Sequence, residues 1–205
     1  MCAAPGSDEL AKLIIGLGSP DRASREGAAK ELFSRGHNMA RAATAQWLAD
    51  REFAAKLVLD ASQFPVTTVG IAVTPETFDR IHAVNGSPRL ADVPPDQDAK
   101  EFELHFARGV QLDILTTREP GSSGAVARYL QKFGEGIQQV ELLARNIDDA
   151  TEILRTRFGV QPIYPATRAG ADRTRVNFFL ASLPEKGPEK GKILIELVEP
   201  AAPNR

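Results

Sequence analysis

The stretch "GEGIQQVELLARNIDDATEILRTRFGV", residues 134–160, changes its hydrophobic period halfway along. From Ile137 to Ala144 the alternation is twofold: Gln138, Val140, Leu142 and Ala144 fall on one side, Gln139, Glu141 and Leu143 on the other. The spacing then becomes helical, with Asn146 where a cap belongs, Asp148 and Asp149 in the first turn and Gly159 at the end. A strand over Ile137–Ala144 and a helix over Asp148–Phe158 are therefore predicted. The first strand face is mostly apolar and suits a core. The second needs water or a partner for its polar groups, so Gln139 and Glu141 either meet solvent or line a site.

The same pattern occurs twice in the chain. Upstream, Thr67–Val73 reads as a strand and "PETFDRIHAV" as a helix. Strands follow around Arg89–Val93, Glu101–Ala107 and Val110–Thr116, and a helix runs from a cap at Ser123 through "AVARYLQKF" to Gly134. Downstream, strands are predicted around Val160–Thr167, Thr174–Ala181 and Lys192–Glu199. "TVGIAV" parallels "QVELLA", and "GVQLDIL" parallels "KILIELV", the signature of an internal duplication. The fold class is α+β: two β-α-β-β-β modules, residues 66–133 and 134–200.

Before Pro65 the chain is helical, so residues 1–62 read as a small all-α extension. Leu10, Leu13, Ile14 and Leu17 share a face, with Ser7 as cap. A second helix opens with Ser19 and Pro20 and stops at Gly36; two short ones follow at Asn38–Ala49 and Glu52–Leu59. Segments this short need packing partners. "PDRASREGAAKELFSRG" bears a weak likeness to one helix pair of a HEAT repeat; the plainer reading is helices packed on the main domain.

Composition bounds the function. Hydrophobic content of 42% and charged content of 25% are those of a globular protein. A net charge of −2 gives no reason to expect nucleic acid or an anionic membrane as partner. The single cysteine, Cys2, excludes internal disulfides and cysteine-based metal sites. There is no signal-like start and no apolar run of membrane-spanning length, so a soluble, cytoplasmic protein is expected. Phosphate-loop and dinucleotide fingerprints are missing.

Three segments, "TVGIAV", "AVARYLQKFGEGIQQVELLARNIDDATEILRTRFGV" and "GKILIELVEP", resemble the vicinal-oxygen-chelate superfamily of glyoxalases, extradiol dioxygenases and bleomycin-resistance proteins. Within it the resemblance is to methylmalonyl-CoA epimerases, over roughly residues 66–200. It implies an eight-stranded cup of two modules related by a pseudo-twofold axis, with one metal ligand from each of four strands. Those places fall on Thr68, on Asp113 (or Gln111, two residues earlier), on Gln139 and on Glu196. The two carboxylate places keep their residue type, and both histidine places are changed. His37, His82 and His105 read as packing or surface histidines.

The resemblance therefore implies a small-molecule ligand, with Thr68, Gln111 and Gln139 as contacts and Glu141 and Glu196 as the acid–base pair. Asp113, Gln139 and Glu196 would hold any divalent metal. Without imidazole such a set should bind weakly or not at all, and should favour Mn²⁺ or Mg²⁺ over Zn²⁺. Two readings stay open: a metal-assisted epimerase, isomerase or lyase acting on a small carbonyl or CoA-thioester, and a diverged binding protein. Assembly is open too, between a monomer and a homodimer formed through the helical extension. Three further features could meet an anion or simply face water. They are "REPGSSGAV" at a helix start, the lysine-rich "PEKGPEKGK" loop, and Arg168, Arg173 and Arg175.

Overall fold

The computed structural model of the chain describes residues 7–184 and 191–201; Cys2 and most of the lysine-rich loop lie outside the described residues. Helix α1 covers Ser7–Leu17 and α2 covers Arg22–Leu48. The expected stop at Gly36 does not occur, and one helix of 27 residues runs through it. A glycine inside a helix costs about 1 kcal/mol but breaks nothing unless the backbone turns left-handed. Asp21, rather than Ser19, caps α2, accepting from the Ser24 amide at 2.8 Å. The third helix, α3, is only Arg51–Ala55, capped by Asp50.

The chain divides into two compact units. The first joins the segment up to Arg35 with Val69–Gln138; the second joins Gly36–Thr68 with the rest from Gln139. The helical N-terminal region thus contributes to both.

In the first unit, β1 (Thr67–Ala72) pairs in parallel with β3 (Val110–Thr117), and β2 (Ala99–Phe106) pairs antiparallel on the other side of β3. Helix α4 (Pro75–Val84) covers one face, where Phe78 meets Phe102 edge-on at 4.8 Å. The last helix of the unit, α5, spans Ala125–Phe133. Its cap is Gly124, not Ser123, and no side chain caps it. The strand expected at Arg89–Val93 is not formed. One ladder-like bond, Ala91 N–H to the Glu101 carbonyl, remains, while the Arg118 guanidinium takes the Val93 and Ala99 carbonyls at 2.8 Å. Prolines 88, 94 and 95 withhold donors around it.

In the second unit the strand order is β4 (Gly136–Leu143), β7 (Lys192–Glu199), β6 (Arg175–Ser182), β5 (Arg168–Ala169). The β4–β7 pair is parallel and the others antiparallel. The strand expected over Val160–Thr167 is reduced to a bridge between Pro162 and Phe179, with Pro162 and Pro165 each lacking a donor. Seven strands, not eight, are present among the described residues.

Helix α6 (Ile147–Arg157) packs on β6 and β7, burying Ile147, Ala150, Ile153 and Leu154. Asn146 caps it as expected, accepting from the Asp149 amide at 3.0 Å, and Glu199 takes the Ile147 amide at 2.8 Å. Residues 56–66 are bound to the end of β4: Val58 donates to the Leu143 carbonyl and the Leu143 amide to Val66. No helix among the described residues is long and apolar enough to cross a membrane.

Candidate functional site

Two parallel strands build the site. In the β4–β7 register Gln139 lies beside Leu194 and Glu141 beside Glu196, while Val140 and Leu142 lie beside Ile195 and Leu197. Period two sends these sets to opposite faces. The apolar set is fully buried, together with Phe179, whose ring meets Trp47 edge-on at 6.5 Å. That face is the core of the unit, which leaves Gln139, Glu141 and Glu196 together on the other.

Gln139 and Glu196 are each only 7% exposed, and Glu141 is half-buried. The Gln139 amide nitrogen donates to Glu196 Oε2 at 2.5 Å and lies 3.3 Å from Glu141 Oε1. An amide's nitrogen and oxygen are distinguished by such partners. With both acids ionised, the nitrogen is the end of the amide that finds acceptors here, since a carbonyl oxygen turned this way would face two more oxygens. One donor group therefore ties together acids from neighbouring strands. Of the two fates open to Gln139 and Glu141, solvent or a site, neither is the whole answer: they meet each other and Glu196.

Beside this cluster the same face turns aromatic. Phe178 is the β6 partner of Glu196, Tyr164 meets Phe178 edge-on at 5.9 Å, and the Arg168 guanidinium stacks over Tyr164 at 4.3 Å. Sequence reasoning missed Phe178 and Tyr164. The alternation Val176–Phe178–Leu180 was a signal for the first, but Tyr164 lies in a segment that forms no strand. Arg175 is a brace instead of a ligand group. It pairs with Asp148 at 2.5 Å and Glu199 at 3.3 Å, and with the Thr167 hydroxyl it holds the Asp148 carboxyl below the usual carboxylate range.

The remaining candidates lie elsewhere on the chain. Gln111 and Asp113 belong to β3 in the first unit, where Asp113 is buried between Gly70 on β1 and Glu103 on β2. Gly70–Asp113 and Glu141–Glu196 hold matching register positions in their own modules, as a duplication requires. Thr68 precedes Val69 on β1, on the face of Gly70 and Ala72.

The three histidines have other partners. His82 lies against Phe102 and bonds the Pro88 carbonyl, His105 pairs with Glu103 at the surface, and His37 meets Phe64 edge-on. Burial holds the His37 imidazole below its ordinary pKa.

The hydroxyls just before α5 are engaged with an acid. Ser122 and Thr117 donate to Asp98, and these hydroxyls hold its carboxyl below the usual range. A methyl group added at Gly124 would come within 2.7 Å of Asp98 Oδ2. An anion at this helix start would meet the Asp98 carboxylate close by.

Among the described residues no group of three or more His, Cys, Asp or Glu is gathered to hold a metal ion. The amide turned toward Glu196 and Glu141 presents N–H, which cannot coordinate. An amide in this orientation does not suit a nitrogen-seeking ion such as Zn²⁺ between the two acids.

Comparison with solved structures bears on this geometry. Methylmalonyl-CoA epimerase from Mycobacterium tuberculosis is 28% identical, with a TM-score of 0.53 over 72% of this chain and 96% of that one. A hypothetical protein from Bacillus halodurans C-125 is 22% identical, with a TM-score of 0.51 over 67% and 95%. Methylmalonyl-CoA epimerase from Streptomyces coelicolor, in complex with 2-nitronate-propionyl-CoA, is 21% identical, with a TM-score of 0.50 over 67% and 98%. No protein-family model and no curated protein matches the chain. The solved structures support a fold of the vicinal-oxygen-chelate type.

Proposed function

We propose that this protein binds a small organic molecule on the polar face of β4 and β7, with Gln139, Glu141 and Glu196 as its contacts. The carrying observation is the amide of Gln139 held between two acids on a sheet face whose reverse is core. Polar groups this costly to bury are kept where hydrogen bonds are needed. The fold shared with epimerases whose structures hold CoA ligands points to acyl-CoA or small carbonyl compounds as the first class to screen. Thr68, Gln111 and Asp113, to which the resemblance gives ligand roles, are tested separately by Thr68→Val, Gln111→Leu and Asp113→Asn, each screened by thermal shift. Thermal-shift screening of CoA thioesters and short oxo- and dicarboxylic acids tests the reading. A hit that stabilises the native protein and is lost in Glu196→Gln supports it; a hit unaffected by that change places the ligand elsewhere.

A second reading is an epimerase-type proton transfer. It is favoured by the two carboxylates on adjacent strands, one to remove a proton next to a carbonyl and the other to return it. Incubating methylmalonyl-CoA with the protein in deuterium oxide decides it. Deuterium entering the α-carbon, and failing to enter with Glu141→Gln, supports the reading; no exchange above buffer rejects it.

A further inference from the structure

We propose that Gln139 keeps Zn²⁺ and similar nitrogen-seeking ions out of this face by tying both acids to a hydrogen-bond donor. The inference stands on the geometry alone and does not depend on which ligand the site takes. Zn²⁺ and similar ions favour imidazole nitrogen, whereas carboxylate and carbonyl oxygens suit Mg²⁺ and Mn²⁺. Glutamine can replace imidazole as a ligand only through its carbonyl oxygen. Here the opposite end of the amide is turned inward, its nitrogen 2.5 Å from Glu196 Oε2 and 3.3 Å from Glu141 Oε1.

A cation entering between the acids would have to break the charge-assisted bond to Glu196 and rotate the amide by half a turn. Rotation is opposed by burial, because Gln139 is 7% exposed and its strand is fixed on the reverse face by Val140 and Leu142. The amide therefore acts as a latch: its N–H group occupies oxygens of both acids while its carbonyl lone pairs are turned away from them. Gln139 is one of the two places where the sequence departs from the histidines that the resemblance implies, the other being Thr68.

The test uses the full chain without a histidine tag and reads metal binding directly. Co²⁺ is followed by its visible absorption and Zn²⁺ by calorimetry, for the native protein, Gln139→His, Gln139→Leu and the double variant Gln139→His with Glu196→Gln. The native protein is expected to show no saturable Zn²⁺ binding in the micromolar range. Gln139→His should gain at least about tenfold in Zn²⁺ affinity, and the double variant should lose that gain. Gln139→Leu removes the donor without adding a nitrogen; it should bind Mn²⁺ more tightly than the native protein, since the amide no longer competes with the cation for the two carboxylates. This second variant carries the test should Gln139→His fail to fold. Tight Zn²⁺ or Co²⁺ binding by the native protein overturns the proposal. So does a Gln139→Leu protein, shown folded by circular dichroism, whose Mn²⁺ binding is no tighter than native.

Discussion

Replacing Phe53 by alanine asks whether α3 belongs to the core of the second unit or merely leans on it. Phe53 has no exposed surface, and its ring meets Trp47 edge-on at 6.4 Å; Trp47 in turn meets Phe179 of β6. Truncating a fully buried phenylalanine costs the transfer of its ring plus the cavity left behind, about 3–5 kcal/mol. The same helix also makes ion pairs with α6: Arg157 with Asp50 at 2.9 Å and with Glu52. Arg157 and Glu52 are about half exposed, although Asp50 is more covered, so Arg157→Ala should cost no more than about 1 kcal/mol. Urea unfolding followed by fluorescence separates the two, because Trp47 is the only tryptophan and lies in this unit. With a slope of about 2 kcal/mol per molar, Phe53→Ala should move the midpoint down by roughly 1.5–2.5 M. A shift under about 0.5 M, or an equal shift from Arg157→Ala, would show that apolar packing does not join α3 to the sheet.

Other changes test single elements. Asn146→Ala removes the α6 cap and should cost about 1 kcal/mol by the same unfolding measurement. Gly124→Ala pushes a methyl group against Asp98 and should destabilise the first unit by roughly 1–3 kcal/mol, read by thermal unfolding in circular dichroism. Burial pushes the Tyr129 phenol up to about 12. Its contribution is complete below the unfolded value near 10 and is lost as pH rises from about 10 to about 12, up to roughly 3 kcal/mol in all. Tyr129→Phe should flatten that part of the stability profile, while costing about 1 kcal/mol at neutral pH for the lost bond to the Ile137 carbonyl. A chain beginning at Ser62 lacks the bond from Val58 to Leu143 and the side chains of Trp47 and Phe53, and should show no cooperative unfolding transition.

The clearest parts of the fold were those where one residue set had one reading. Lys192–Glu199 and Pro75–Val84 emerge with the predicted bounds, because period and boundary signals agree there. Gly36 misled because glycine punctuates a helix only when its backbone adopts the left-handed form, and here the chain beyond it, from His37 to Leu48, continues as helix. Arg89–Val93 misled for the reverse reason. Its pattern suits a strand, but flanking prolines and the Arg118 side chain, 25 residues away from the Val93 carbonyl it takes, satisfy the segment differently. No local pattern encodes such a partner.

At the site, alternation alone placed Gln139 and Glu141 on one face, and the β4–β7 register brought Glu196 beside them. What the sequence could not carry was the direction of one amide. Glutamine is both donor and acceptor, so its presence at a ligand place is compatible with coordinating an ion or with excluding one. The choice is made by neighbours 2 and 57 residues distant, whose carboxylates accept from it. The same two acids with histidine at position 139 would meet a neutral nitrogen able to share a cation with them. With glutamine they meet a donor that takes the cation's place. The proposed exclusion of Zn²⁺ thus turns on which end of one donor–acceptor side chain the two acids meet.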